Sequence, residues 1–244
     1  MSNIHLVYGM EIKGFIGVSL IDWDRKVSSV IFLPSCNLRC PFCYNTKLVL
    51  QSSQMPTIPL EKILNYLKKN RGWIDGVVIT GGEPTIHEDL PLLCQEIKKL
   101  DFLVKLDTNG TNPKMIRTLI DNELIDYIAM DVKAPFTEEK YSKASGVSKS
   151  AFLAKIEQTT QTLLEGGIDY EFRTTLVPTL HTKSDIREIC EKIKGCKKYV
   201  LQNFRADVET IDPSFQKLKP FLNAEIESFF HAAKKLIPNT ILRK

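Results

Sequence analysis

The chain has 244 residues, of which 43% are hydrophobic and 25% charged, and its formal net charge is +4. These values are ordinary for a soluble globular protein. The charge is too small to indicate nucleic acid or a membrane as a partner, and no apolar run approaches the roughly 20 residues of a membrane helix. No secretion signal is apparent and the cysteines are unevenly spaced, so we expect a cytoplasmic protein with reduced thiols.

Short β-type runs alternate with segments of helical period along most of the chain. The runs cover residues 30–33, 76–80, 102–106, 127–132, 170–177 and 198–202. Such alternation predicts βαβ units and a parallel sheet, which is an α/β fold. Residues 14–27 predict an N-terminal hairpin, and residues 221–236 predict a last helix. We therefore expect one domain over residues 1–244, with a core at about 27–205 and a C-terminal helical extension over 206–244.

Unusual residues follow five of the predicted strands. The first strand runs into the cysteines, and the next four end in "TGGEP", "LDTNG", "MDVKAP" and "RTTLVPT". In parallel α/β folds the ligand lies beyond the carboxyl ends of the strands. The sequence therefore predicts a functional site built from these loops.

Three of the six cysteines, Cys36, Cys40 and Cys43, lie within eight positions. A structural zinc site needs four protein ligands, commonly as paired C-x2-C. The remaining three cysteines form no such pair, and none of them is next to a histidine. An iron–sulfur cubane takes four ligands, so three cysteines leave one iron open, as in a catalytic centre. The spacing therefore favours an iron–sulfur cluster over zinc.

The C-x3-C-x2-C pattern resembles the signature of the radical S-adenosylmethionine (SAM) superfamily, and "GGEP" at 81–84 is similar to its second motif. "LDTNG" at 106–110 and "MDVK" at 130–133 resemble the glycyl-radical activating enzymes, the pyruvate formate-lyase activase group. Residues 14–45 are similar to the activating proteins of anaerobic ribonucleoside-triphosphate reductase. The resemblance covers about residues 12–205. It implies a partial (β/α)6 barrel of the radical SAM type, with the hairpin as an N-terminal extension.

The same resemblance implies a [4Fe–4S] cluster held by Cys36, Cys40 and Cys43, with SAM on the open iron. One departure is Tyr44, because the activases usually have histidine after the third cysteine. No ferredoxin-like insertion with eight cysteines follows Cys43, so the short, single-cluster form is implied.

A SAM site on the strand ends is implied as well. Gly81 and Gly82 would let the backbone approach the methionine part of SAM, where a Cβ would obstruct it. Glu83 would lie near the ammonium group of SAM or hold its own loop. Phe42 and Tyr44 would contact the adenosyl part or pack over the cluster.

A group of oxygen ligands resembles the site that surrounds a monovalent cation beside SAM in the activases. The implied ligands are Asp107, Thr108 and Asp131, and clustered oxygens suit such a hard cation. For Thr108 and Asn109, capping of the strand end is an alternative.

Three more residues are expected to contact SAM or another anion. Val132 would offer its backbone to SAM, and Lys133 would hold an anionic group or extend to the barrel rim. Arg173 lies inside an apolar run, where a charge is costly unless it is paired. We expect it to bind a carboxylate or a ribose.

The leading hypothesis is an enzyme that cleaves SAM reductively and removes hydrogen from a glycine of a partner, with anaerobic ribonucleotide reductase favoured. Flavodoxin or ferredoxin is the expected electron donor, attracted by lysines of the last helices. One alternative is a radical SAM enzyme acting on a small molecule, such as a deazapurine-forming enzyme. Another is a metal-binding module without catalysis.

Overall fold

The structure is a computed structural model that describes residues 10–148 and 150–243. In that part of the chain the strands are β1 Gly14–Ser19, β2 Ser28–Leu33, β3 Gly76–Gly81, β4 Leu103–Thr108, β5 Tyr127–Asp131, β6 Asp169–Leu176, β7 Tyr199–Asn203 and β8 Thr240–Arg243. The α-helices are α1 Thr46–Leu50, α2 Leu60–Lys69, α3 Leu90–Lys98, α4 Pro113–Asp121, α5 Glu138–Ser145, α6 Ser150–Glu165, α7 Lys183–Lys192 and α8 Asn223–Lys234. None of the described helices has the length and apolar character needed to cross a membrane.

The chain divides into two compact units. The first comprises the described residues up to 37, together with 47–108 and 114–128. The second comprises 38–46, 109–113 and the described residues from 129 onward. Strand β5 therefore begins in the first unit and ends in the second.

In the first unit the strands lie side by side in chain order. β1 pairs antiparallel with β2. β2 is therefore both the second strand of the N-terminal hairpin and the first of the parallel strands. β2, β3 and β4 are parallel, with Phe32 opposite Thr80 and Val78 opposite Lys105. In β2 and β3 only Phe32 and Thr80 are half-buried, while the other residues are buried. Strands buried on both faces are typical of parallel sheets covered by helices.

In the second unit β6, β7 and β8 are parallel neighbours. β8 is a strand that the sequence analysis did not predict, because it lies in the segment expected to be helical. Glu171 on β6 is 1% exposed and forms ion pairs with Lys198 at 2.9 Å and Arg243 at 3.0 Å. The buried carboxylate is thereby paired, and its Arg243 partner lies in β8.

The predicted helical periods correspond to helices in the structure. The apolar stripe of Leu60, Ile63, Leu64 and Leu67 is the buried face of α2. Helix α6 ends at Glu165, before Gly166 with φ 95°. Glycine adopts this left-handed conformation without the steric cost that a Cβ imposes.

Candidate functional site

In the first unit, the end of β3 fixes the turn that leads into Cys36. The Gly82 N–H donates to the Leu33 carbonyl at 2.9 Å, and the Glu83 N–H donates to the Ser35 carbonyl at 2.8 Å. Ser35 has φ 63°, which costs an L residue about 1–2 kcal/mol. A ring nitrogen of His87 lies 2.8 Å from the Pro34 carbonyl. The backbone before Cys36 is thus held in a strained turn by the "GGEP" loop.

Gly81 and Gly82 of the "GGEP" loop allow the backbone after β2 to pack closely against them. An ideal Cβ at Gly82 would lie 1.6 Å from the Ser35 carbonyl oxygen. One at Gly81, which has φ 121°, would lie 2.3 Å from the Leu33 carbonyl oxygen. The space that a Cβ would take is therefore filled by the chain's own backbone. The predicted approach of these two glycines to the methionine part of SAM stays a prediction.

Glu83 holds its own loop, as one of its two predicted roles required. The side chain is 1% exposed, and its Oε1 accepts hydrogen bonds from the Thr85 N–H at 3.1 Å and the Thr85 hydroxyl at 2.6 Å. The Thr108 hydroxyl donates to the same oxygen at 2.7 Å. The structure thus brings together the predicted residues Glu83 and Thr108, at the ends of β3 and β4.

Asp107 has a partner that the sequence analysis missed. The ammonium of Lys105, which is 2% exposed, lies 3.0 Å from Asp107 Oδ1. Lys105 and Asp107 are two positions apart on β4 and therefore lie on the same face of the strand. The sequence did contain a signal for this pair, which was a lysine inside an apolar strand, two positions before an aspartate.

In the second unit, a segment distant in sequence holds the cysteine loop. The Cys43 N–H donates to the Cys40 carbonyl at 3.0 Å, which closes a tight turn. The Ile211 N–H donates to the Cys43 carbonyl, and the Asp212 N–H donates to the Pro41 carbonyl, both at 3.0 Å. The segment after β7 therefore positions the second and third cysteines.

All six cysteines are free thiols. Burial raises the pKa of the Cys43 thiol, and a hydrogen bond with the Asn45 backbone together with the positive charges of Lys133 and Arg39 lowers it only in part. In the same loop Phe42 is half-buried, whereas Tyr44 is 64% exposed. Tyr44 therefore projects largely into solvent and does not pack in the core.

The cysteine loop has the chemistry that a four-iron cluster takes. Three thiols on one short loop can each bind a different iron and leave the fourth iron open. Among residues 10–148 and 150–243, no group of three or more His, Cys, Asp or Glu side chains is placed to hold a metal ion.

Three predicted residues of the second unit contact one another at the ends of β5 and β6. Arg173 Nε donates to Asp131 Oδ1 at 2.9 Å, and Lys133 Nζ lies 3.4 Å from Asp131 Oδ2. Arg173 is therefore paired with a carboxylate of the chain itself, which offsets the cost of its burial. Its contact with SAM stays a prediction.

Two other predicted residues have their polar groups engaged. The Val132 N–H donates to the Arg173 carbonyl at 2.8 Å, and the Val132 carbonyl accepts from the Thr174 hydroxyl at 2.7 Å. This leaves a second lone pair of that carbonyl for a ligand. Asn109 Oδ1 accepts from the N–H and the hydroxyl of Thr111, at 3.0 and 2.7 Å. Asn109 thus stabilises its turn, as the capping alternative proposed.

His181 is a buried histidine for which the sequence analysis assigned no role. The Val177 N–H donates to His181 Nδ1 at 3.0 Å, so Nε2 carries the proton and donates to the Lys133 carbonyl at 2.9 Å. The Tyr141 hydroxyl accepts from the Lys133 N–H at 3.3 Å, and burial raises the pKa of Tyr141 to about 12. Lys133 is therefore held through its backbone by two side chains. A histidine just after the strand in "VPTLHT" was the only sequence signal.

The sequence model of the radical SAM superfamily matches residues 30–193 of this chain, including the cysteine loop and the "GGEP" turn. The chain belongs to the radical SAM superfamily. The predicted family is thereby confirmed, and the protein is an enzyme of this superfamily rather than a non-catalytic module. Membership implies a [4Fe–4S] cluster and SAM as cofactors.

Three known proteins illustrate how this radical SAM chain compares with others. A Methanocaldococcus jannaschii protein that carries the provisional name glycyl-radical enzyme activating enzyme is 35% identical over 233 residues, which are 95% of each chain. The 7-carboxy-7-deazaguanine synthase of Aquifex aeolicus is 37% identical over 84 residues, 34% of this chain and 36% of that protein. SAM-bound SuiB of Streptococcus suis superposes with a TM-score of 0.65 at 16% identity, over 88% of this chain. The chain spans about half of SuiB, 52% of its length, and the likeness confirms the predicted α/β fold of the radical SAM type.

Proposed function

We propose that the protein is a glycyl-radical enzyme activating enzyme and that anaerobic ribonucleoside-triphosphate reductase is its partner. The observation that carries the first part is the 35% identity to the Methanocaldococcus jannaschii protein across 95% of both chains. The choice of partner rests on the similarity of residues 14–45 to the activating proteins of that reductase.

In this proposal Cys36, Cys40 and Cys43 hold the cluster and leave one iron for SAM. The chemistry supplied by the bound cluster and SAM is one-electron cleavage of the sulfonium, which gives methionine and a 5′-deoxyadenosyl radical. The chain's own contribution is to hold and orient these groups. The strained turn at Ser35 and the turn closed by Cys40 and Cys43 fix the donor loop at both ends.

The proposed SAM contacts are residues that lie at or after the ends of the strands. On the "GGEP" loop they are the backbone of Gly81 and Gly82, and Glu83 holds that loop by its hydrogen bonds. The other proposed contacts are Phe42, Tyr44, the carbonyl of Val132, Lys133 and Arg173, with Asn109 shaping the turn after β4. Lys133 and Arg173 both contact Asp131, and these two cationic side chains are proposed to bind an anionic group such as the SAM carboxylate.

Glycine suits the proposed hydrogen donor. Its Cα carries no side chain, so after loss of hydrogen it can flatten and share the unpaired electron with both neighbouring amides. The substrate is then a glycine-containing loop of another protein.

An acidic flavodoxin or ferredoxin is the proposed electron donor. Lys183, Arg187 and Lys235 line an open groove of α7 and α8, where Glu227 is the acidic residue among them. An excess of positive charge attracts an acidic protein over distances of about a Debye length.

The test is hydrogen transfer to SAM from the proposed partner. The reduced protein is incubated with SAM and an anaerobic ribonucleotide reductase deuterated at glycine, with dithionite or flavodoxin as reductant in parallel. We expect deuterium in 5′-deoxyadenosine and a glycyl doublet in the electron paramagnetic resonance spectrum. SAM cleavage with neither signal, for every glycyl-radical partner from the same source, contradicts the activating function. Activity with dithionite but not with flavodoxin or ferredoxin contradicts only the electron donor.

A radical SAM enzyme that acts on a small purine precursor is the second candidate. It is supported by the match to the deazaguanine synthase, which is limited to 34% of the chain. Cleavage of SAM that is stimulated by a pterin or purine precursor, and not by a protein, would favour it.

A further inference from the structure

Lys105 introduces a positive charge at a place where the sequence analysis expected a bound metal cation. Its side chain is 2% exposed, and its ammonium donates to the Asp22 carbonyl and lies 3.0 Å from Asp107 Oδ1. Asp107 is itself only 13% exposed. A buried ammonium is costly unless it is paired, so Asp107 is the counterion of Lys105.

The other two expected cation ligands also have partners within the chain. In the first unit the Thr108 hydroxyl donates to Glu83 at 2.7 Å. In the second unit Asp131 is contacted by Arg173 at 2.9 Å and by Lys133 at 3.4 Å. Each carboxylate that was expected to bind a metal cation is therefore already paired with a side-chain cation.

We propose that Lys105 is the resident cation of the Asp107 carboxylate and that this protein binds no exchangeable monovalent cation there. A sodium or potassium ion on the same carboxylate would be repelled by an ammonium in contact with that carboxylate, in a place where little water screens the two charges. The monovalent cation implied by the family resemblance therefore does not fit the residues present.

The first experiment measures cation binding to the unaltered protein. The full chain, reconstituted and oxidised, is titrated with NaCl while the sodium NMR relaxation rate is followed, and KCl is then added as competitor. Thermal unfolding is compared in NaCl, KCl and tetramethylammonium chloride at equal ionic strength. We expect no saturable relaxation enhancement and unfolding midpoints that agree in the three salts. A saturable enhancement that potassium displaces, or a midpoint raised by one metal cation, overturns the proposal.

The second experiment removes the resident charge. Lys105→Met keeps the length of the side chain and leaves Asp107 without its counterion, so this variant should acquire a sodium or potassium dependence of its unfolding midpoint. The double variant Lys105→Met, Asp107→Asn is the matched control. It removes both charges, should unfold at a higher temperature than the single variant in tetramethylammonium chloride, and should not respond to metal cations.

Comparison of the single and double variants shows whether Lys105 stabilises the protein through its charge or through its packing. If the single and double variants are equally unstable, or if Lys105→Met responds to no metal cation, Lys105 acts through packing and the proposal fails. These measurements involve neither SAM nor a glycyl-radical partner. Their failure therefore leaves the proposed function intact, and failure of deuterium transfer leaves the Lys105 assignment intact.

Discussion

His181 shows at the scale of one residue how the structure determines a protonation state. Burial lowers its pKa below the ordinary value of 6.5, and this effect exceeds the opposing influence of the Lys133 carbonyl and of Asp185. Nδ1 accepts a hydrogen bond from the Val177 N–H, so a protonated ring would lose that bond. The folded protein therefore favours the neutral ring that binds the Lys133 carbonyl.

This preference predicts a loss of stability in acid. The unfolded chain takes up the proton at its ordinary pKa, so the contribution of His181 is complete above about pH 6.5 and declines as the pH falls below it. The free energy of unfolding, measured by denaturant titration at several pH values, should fall with a slope that includes up to about 1.4 kcal/mol per pH unit from this one proton.

His181→Gln should remove this part of the slope, because glutamine offers a donor to the Lys133 carbonyl and does not titrate. His231→Gln is the control, since the His231 side chain is 68% exposed on α8. Equal slopes for the wild type and His181→Gln would show that His181 does not set the acid limit.

At the scale of elements, the segment that follows β2 is bound directly to the segment that follows β3. Two backbone hydrogen bonds join them, and the missing Cβ of Gly82 lets the Ser35 carbonyl come close. Because Cys36 follows Ser35 directly, a change in the "GGEP" loop reaches the first cysteine through backbone contacts.

Gly82→Ala should therefore damage both stability and cluster content. The added methyl must displace the Ser35 carbonyl, and overpacking of this kind costs about 3 kcal/mol at the upper end of its usual range. Denaturant unfolding and iron analysis after reconstitution measure the two effects.

Gly72→Ala is the matched control for this substitution. Gly72 has φ 83° and no heavy atom within 4 Å of an ideal Cβ. Its replacement should cost only the strain of the left-handed conformation, about 1 kcal/mol, and should retain iron. Full iron content in Gly82→Ala would contradict the role assigned to this loop.

At the scale of the whole molecule, the six thiols fall into two groups. Cys36, Cys40 and Cys43 lie on one loop, whereas Cys94, Cys190 and Cys196 lie elsewhere in the chain and are all buried. Burial raises the pKa of Cys94 to about 12, that of Cys190 to about 12 and that of Cys196 to about 11. Such thiols are inert and pack as small apolar side chains.

One cluster per chain is therefore expected. Anaerobic reconstitution should give about four iron and four sulfide per chain, the content of one cubane. Cys94→Ala should keep this content, because its thiol only packs in α3, and Cys40→Ala should lose most of it. Stoichiometric zinc without iron–sulfur absorption, or equal iron loss in both variants, would contradict the assignment.

The sequence by itself determined the features that depend on local pattern. Alternating apolar runs and helical periods predicted most of the strands and helices, because burial of one face imposes a period on the residues nearby. The spacing of the cysteines and the "GGEP" motif predicted the family for a similar reason, since a cluster needs its donors on one short loop.

Tertiary structure alone decided the partners of those residues. The Asp22 carbonyl that binds Lys105, the Ile211 and Asp212 amides that hold the cysteine loop, and the pairing of β8 with β7 all join positions far apart in the chain. Among neighbouring residues the sequence analysis could not assign Lys105 to Asp107 or His181 to Val177, because a short-range pattern does not state which side chains are buried together. A buried charge needs an opposite charge and a buried hydrogen-bond donor needs an acceptor. The tertiary structure determines which of these partners lie within reach.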